Sequence, residues 1–209
     1  NEIIDRKNYI VRRSSRKKGH HHIIASNIDQ VMIVATIREP RTSTGFINRI
    51  LVSSESFRIP CILVFNKQDL WREQDEAKVK ELVKIYENIN CKCFFTSATD
   101  NTGIEELKGQ IKSKTTLIAG HSGVGKSSLL NCIDPGLDLE TGGLTKFTSK
   151  GSHTTTFAHM FDLENDTYII DTPGVKEFGL DDMEKQELSD YFPEMRKYLG
   201  ECKFHNCLH

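Results

Sequence analysis

Between residues 30 and 171 the chain alternates short runs that are apolar throughout with longer stretches that are apolar on one side only. Val31-Met32-Ile33-Val34-Ala35-Thr36-Ile37, Cys61-Ile62-Leu63-Val64-Phe65, Cys93-Phe94-Phe95-Thr96, Thr116-Leu117-Ile118-Ala119 and Tyr168-Ile169-Ile170-Asp171 are of the first kind. Runs that never alternate with polar residues predict strands buried on both faces. Residues 43–57 carry Phe46, Ile47, Ile50, Leu51 and Phe57 at helical spacing, and residues 75–88 place Val79, Leu82, Val83 and Tyr86 on one helical face. Shorter helices are predicted over 103–112 and 126–133, and Thr155 to Leu163 reads as a longer, more exposed strand. Buried strands alternating with amphipathic helices predict an α/β fold, a mostly parallel sheet covered by helices to make three layers. Residues 134–153, rich in Gly, Thr and Lys, show no strong period and read as a long loop, functional or mobile.

Composition narrows the possibilities without deciding among them. Against 28 Lys and Arg stand 29 Asp and Glu, a net charge of -1, so the chain is not polybasic overall. At 37% hydrophobic residues in 209, it can bury an ordinary core. It holds no run of about eighteen apolar residues, which predicts no membrane span. The start, Asn1 to Ile10, lacks the apolar stretch of a secretory leader and has no initiator Met, which predicts a piece of a longer chain. Cys61, Cys91, Cys93 and Cys132 lie in apolar segments and read as reduced, buried thiols of a cytoplasmic protein. Five positive charges fall within Arg12 to Lys18, either a solvated linker or a patch that contacts nucleic-acid phosphates. His20, His21 and His22 follow with no acidic or Cys partner nearby and read as the approach to a strand.

The sharpest chemical signal is Gly120-His121-Ser122-Gly123-Val124-Gly125-Lys126-Ser127, which matches G-x-x-x-x-G-K-S/T between a predicted strand and a predicted helix. Glycines let backbone N–H groups turn toward phosphate oxygens, and the helix N-terminus adds positive potential. Lys126 can reach the β- and γ-phosphates, the Ser127 hydroxyl can bind Mg²⁺, and Ser122, Val124 and Ser128 complete the cradle. Asn66-Lys67-Gln68-Asp69 follows another strand and suits guanine. The Asp69 carboxylate can accept from guanine N1–H and its exocyclic amine, Asn66 can bridge to the base edge, and the Lys67 stem can cover its face. These three residues argue against an ATPase or kinase. Ser97 and Ala98 can present backbone N–H to the guanine oxygen. Asp171-Thr172-Pro173-Gly174 closes a strand, placing a carboxylate for the Mg²⁺ shell and the Gly174 N–H for the γ-phosphate, and Thr155 is the candidate to close on Mg²⁺.

N-K-Q-D precedes the phosphate loop here, the reverse of the common GTPase order, so the chain resembles a circularly permuted GTPase. With His22-Ile23-Ile24-Ala25-Ser26-Asn27-Ile28-Asp29-Gln30, Lys150 to Thr156 and Asp171 to Leu180, it resembles the RsgA/YjeQ family of small ribosomal subunit assembly GTPases over nearly its whole length. The resemblance implies three parts: the last strand of an oligonucleotide-binding barrel with a basic linker (1–18), the permuted GTPase domain (19–183) and the start of a helical zinc segment (184–209). It implies structural zinc on Cys202, Cys207 and His209, with His205 as substitute for the fourth ligand. It implies GTP and GDP as ligands with Mg²⁺, and a cytoplasmic monomer working on the small ribosomal subunit and 16S rRNA. In permuted order the segment after Gly174 leads straight into residues 184–209, so nucleotide state is expected to move that segment.

Hydrolysis needs an aligned water. The residue after Gly174 is Val175, which cannot orient one. The family places a histidine further along, and the matching position here holds Asp182, with His153 a remote second candidate. Slow turnover raised by the ribosomal subunit is therefore expected. The alternative is a low-activity GTP-dependent switch, or an RNA-binding module with a different client.

Overall fold

The computed structural model describes residues 5–13, 21–141, 158–171, 187–196, 198, 201 and 203. The apolar runs become strands and the one-sided stretches become helices, with ends that differ by a residue or two from the periodicity. In chain order these are β1 (Tyr9–Arg13), β2 (His21–Ser26), β3 (Gln30–Thr36), α1 (Thr44–Ser56), β4 (Cys61–Asn66), α2 (Glu73–Glu87), β5 (Lys92–Phe95), α3 (Ile104–Ile111), β6 (Thr115–Ala119), α4 (Lys126–Ile133), β7 (His159–Leu163), β8 (Thr167–Asp171) and α5 (Pro193–Arg196). Ile37, expected in the first buried strand, lies beyond its end, because the chain turns at Thr36. Of the exposed strand expected over 155–163, β7 is the described part.

Six strands form one sheet in the order β5-β4-β3-β6-β8-β7. All neighbours run parallel except β7, which pairs antiparallel with β8 at the edge. Side chains alternate across a strand, so successive residues enter opposite layers. Val31, Ile33, Ala35, Leu63, Phe65 and Leu117 pack with Ile47 and Ile50 of α1 and Tyr86 of α2. Met32, Val34, Ile62, Val64, Ile118 and Ile169 pack instead with Leu107 of α3 and Leu129 and Leu130 of α4. Every residue of β3 is buried, which explains why its sequence shows no polar alternation.

From β3 the chain winds outward through α1 to β4 and through α2 to β5. After β5, α3 carries it back to β6 on the other side of β3. The winding thus reverses between β3 and β6, and such a reversal opens a crevice at the carboxyl ends of the strands. The register aligns those ends: Thr36 lies opposite Asn66, Phe65 opposite Phe95, and Ile118 opposite Asp171.

β1 and β2 form a separate antiparallel ribbon with an irregularity between Ile10 and Val11. Ile10 and Ala25 bury into the α1 side of the core. The Asn8 amide grips the backbone of Ile28 on both sides, donating to its carbonyl and accepting from its N–H at 2.8 Å each. His21 and His22 open β2. The turn Leu188–Tyr191 and α5 lie against α1, where Arg196 pairs with Glu55 at 2.6 Å. Among the described residues no helix is long and apolar enough to cross a membrane.

One ion pair ties the turn after β3 to the start of α2. Arg38 donates to the Asp75 carboxylate through Nε at 2.5 Å and Nη2 at 3.2 Å, and the Arg72 N–H donates to the same carboxylate at 2.9 Å. The Arg38 guanidinium holds the Asp75 carboxyl below the usual carboxylate range, with the Arg72 N–H adding to the effect. A carboxyl depressed in the folded state contributes stability above its unfolded value, near 3.8, and loses it as pH falls through the lower folded value. Urea midpoints of the wild type and Asp75→Asn are therefore expected to differ most above about pH 5 and to converge on acidification. A gap that widened below that pH would contradict the assignment.

Candidate nucleotide-binding site

After Ala119 the chain leaves β6 and folds over the crevice as the phosphate loop. A Cβ on Gly120 would lie 2.7 Å from the Val34 carbonyl oxygen, so only glycine lets the loop hug the end of β3. Gly125 holds φ +90, and a Cβ there would lie 2.6 Å from Asn66 Nδ2. It precedes the first turn of α4, where Lys126, Ser127 and Ser128 begin the helix and its unpaired N–H groups face outward from the axis end. The Val124 side chain is fully buried against the α3 and α4 side of the sheet, so its backbone alone remains for a ligand.

Lys126 arches back over this loop. Its ammonium donates to the Gly120 carbonyl at 2.8 Å and the His121 carbonyl at 3.3 Å. Burial pushes its pKa below the ordinary lysine value, and the nearby charge of Asp171 partly offsets this. A cation held in low dielectric by neutral carbonyls gains strongly when an anion arrives. The loop is thus poised for phosphate oxygens.

The second loop starts at the end of β4. Asn66 is completely buried. Its Nδ2 donates to the Val124 carbonyl at 2.9 Å, and its Oδ1 accepts from the Thr96 hydroxyl at 3.0 Å. Each half of the amide has thereby made one of its two bonds. The amide lies inside the protein, tying the phosphate loop to the turn after β5. Lys67 adopts φ 62 and donates from Nζ to the Glu39 carbonyl at 2.5 Å. Its Cε lies 3.8 Å from the Cβ position of Gly125, so the stem runs along the phosphate loop. Asp69 sits in the short turn Gln68–Leu70 and accepts weakly from the Thr99 hydroxyl at 3.4 Å. The Gln68 N–H donates to the Thr96 carbonyl at 3.0 Å, and Trp71 meets Phe95 edge-on at 5.7 Å, closing the loop against β5.

In the third loop the Ser97 N–H donates to the Thr102 carbonyl at 3.1 Å, and the Ser97 hydroxyl accepts from the Thr99 N–H. Ser97 is thus committed to its own turn, leaving Ala98 as the candidate for a base oxygen. Asp171 ends β8 opposite Ile118, beside the strand that feeds the phosphate loop. Ser127 and Asp171 offer hydroxyl and carboxylate oxygens, a donor set that suits Mg²⁺. Thr155, Gly174, Asp182 and His153, and the zinc candidates Cys202, Cys207, His209 and His205, lie outside the described residues. Among the described residues no cluster of His, Cys, Asp and Glu is arranged to hold a metal ion by itself. Burial pushes the thiols of Cys61 and Cys93 up to about 12 and raises Cys91 likewise, so all three stay protonated; Cys91 lies in the core, and Cys61 and Cys93 pack against it.

The structure adds contacts that the sequence pattern did not mark: the Thr96 hydroxyl on Asn66, and the turn over 37–43 with Arg38, Glu39, Pro40 and Thr42. Pro40 between a strand and a helix was the available signal.

Known proteins share this fold. The RsgA GTPase family model matches residues 3–181. The chain belongs to the RsgA GTPase family. It is 49% identical to the small ribosomal subunit biogenesis GTPase RsgA 2 of Bacteroides thetaiotaomicron, over 100% of this chain and 67% of that protein. The crystal structure of YjeQ from Thermotoga maritima superposes with a TM-score of 0.77 at 38% identity, covering 100% of this chain and 66% of that one. The crystal structure of YloQ, described as a circularly permuted GTPase, gives 0.72 at 31% identity, covering 100% and 62%. The chain thus spans about two thirds of the length of these RsgA relatives.

Gly125→Ala is expected to expel the Asn66 amide or distort the loop. Titration with GDP should show binding lost, and urea melts should show about 1–3 kcal/mol of stability lost. Unaltered GDP binding would show that the close approach to Asn66 is not required.

Proposed function

We propose that this protein binds GTP and hydrolyses it to GDP and phosphate, and that the cycle assists late maturation of the small (30S) ribosomal subunit. The observation that carries the reading is the Asn66 amide bonded to both Val124 and Thr96, which joins the loop suited to phosphate and the loop suited to guanine on one crevice. The relatives' names, as small ribosomal subunit biogenesis GTPases, support the client.

Asp69 accepts guanine N1–H and its amine, the Lys67 stem walls the base, and Ala98 N–H meets the base oxygen. Backbone N–H groups over Gly120, Ser122, Gly123, Val124 and Gly125 hold the phosphates, with Lys126, Ser127 and Ser128 at the helix start. Ser127 and Asp171, with Thr155, would hold Mg²⁺, which supplies charge neutralisation between the phosphates when bound. Gly174 N–H meets the γ-phosphate. Asp182 is the proposed group beside the attacking water, with His153 second. Turnover is slow alone and raised by the ribosomal subunit.

The same reading divides the chain into a barrel strand with basic linker (1–18), the permuted GTPase domain (19–183) and a zinc segment (184–209). Cys202, Cys207 and His209 would hold a structural zinc, with His205 as substitute for the fourth ligand. The protein acts as a cytoplasmic monomer on 16S rRNA, with no membrane partner. A second reading rests on Val175, which cannot orient water: a low-activity GTP switch or RNA-binding module with another client. Single-turnover hydrolysis with and without 30S subunits separates the two. Rates that rise with subunits support the first, and rates that stay flat support the second.

Asp69→Asn removes the doubly accepting carboxylate. GTP affinity is expected to fall by roughly a hundredfold or more, with XTP, which carries a carbonyl in place of the amine, gaining in its stead. Competition titrations with GTP, XTP and ATP read this directly. Unchanged GTP selectivity would remove Asp69 from the base pocket.

A further inference from the structure

The turn between β3 and α1, residues 37–43, reaches the nucleotide loops from the side, and nothing in the phosphate or N-K-Q-D motifs accounts for it. It is pinned at its base by paired threonines. The Thr42 N–H donates to the Thr36 carbonyl at 2.8 Å, the Thr36 N–H donates to Thr42 Oγ1 at 2.9 Å, and the Thr36 hydroxyl donates to the Pro40 carbonyl. On one side it meets the phosphate loop. Thr42 Oγ1 lies 2.7 Å from His121 Nε2, and the Pro40 ring lies 3.2 Å from the Cβ position of Gly123. On the other side the Glu39 carbonyl accepts the Lys67 ammonium at 2.5 Å.

Glu39 itself holds φ 45, in the left-handed region that non-glycine residues adopt only when held. The direction of its carbonyl is therefore imposed by its neighbours. Next to it in the chain, Arg38 makes a forked bond to Asp75 that crosses to α2. One carboxylate oxygen, Asp75 Oδ2, accepts both from Arg38 Nε and from the Arg72 N–H, at the end of the loop that carries Asp69. Both side chains are largely shielded, at 25% and 11% exposure, so the pair is screened less than a surface bridge.

We propose that Arg38 and Asp75 are positioning residues for nucleotide binding: their ion pair fixes the Glu39 carbonyl, which holds the Lys67 ammonium and so locks its stem as one wall of the base pocket. The proposal rests on the guanine-nucleotide reading of this crevice. A free lysine stem samples many rotamers, and a base that stacks on it must order it first. With the ammonium already anchored, that ordering is complete before the nucleotide arrives. Because the wall contacts a ring face and not a polar edge, it strengthens binding of every purine alike and leaves discrimination to Asp69.

The test is a double-mutant cycle on the full chain with GDP and IDP as ligands, using Arg38→Ala, Lys67→Met and the double variant. Lys67→Met keeps an apolar stem and removes the ammonium. Each single change is expected to weaken GDP by roughly tenfold. The GDP-to-IDP ratio should stay constant, and KM for GTP should rise at unchanged kcat. The double variant should bind no more weakly than Lys67→Met alone, since Arg38 acts through Lys67. Binding stoichiometry and thermal melts identify any variant that has lost its fold. If Arg38→Ala has, Arg38→Lys, which keeps the charge without the fork, is expected to fall between wild type and Lys67→Met. Full GDP affinity in a folded Arg38 variant, additive losses in the double variant, or a shifted GDP-to-IDP ratio would each overturn the proposal. A wild-type chain that binds no GDP would instead overturn the nucleotide reading itself.

Discussion

At the carboxyl end of β4 a buried amide has both of its halves in use. Asn66 donates to the phosphate loop at Val124 and accepts from Thr96 at the turn after β5. Three loops that leave three different strands are thereby held in one arrangement. The bonds lie where water does not reach, so removing the amide would leave a buried carbonyl and a buried hydroxyl without partners, a larger cost than the bonds themselves are worth in water. Gly125 is part of the same constraint, since only the absence of a side chain lets the amide approach that closely.

Around this tie the two ends of the crevice differ in kind. The phosphate end is electrostatic: a buried ammonium, neutral carbonyls standing in for anions, and a helix N-terminus. The base end is steric and polar: a carboxylate at Asp69, a lysine stem, and a turn closed by Trp71 against Phe95. The turn over 37–43 touches both, through Thr42 and Pro40 at the phosphate loop and through the Glu39 carbonyl at Lys67.

The order of the motifs along the chain does not matter to this geometry. A parallel sheet presents every strand end on one edge, and a crevice at the reversal between β3 and β6 gathers whatever loops leave there. A chain that starts at a different strand of the same sheet reaches the same site. What permutation changes is which segment follows β8, and here the turn Leu188–Tyr191 and α5 return to α1, the helix that begins at the end of the 37–43 turn.

Strand and helix positions, the phosphate loop, N-K-Q-D and the family were all legible in the residues, because each depends on a pattern within a few neighbours: a run, a period or a glycine spacing. Where the apolar runs lay, strands formed, and the helices over 43–57 and 103–112 appear as α1 and α3 within a residue at each end. The burial of Asn66, the commitment of the Ser97 N–H to Thr102 and the reach of Arg38 to Asp75 were not legible, since each joins residues brought together only by the fold. The antiparallel setting of β7 and the pairing of β1 with β2 belong to the same class. Local chemistry decides what a segment can bind. Only packing decides which segments meet, because a buried contact between distant residues is stabilised by the whole core that excludes water from it.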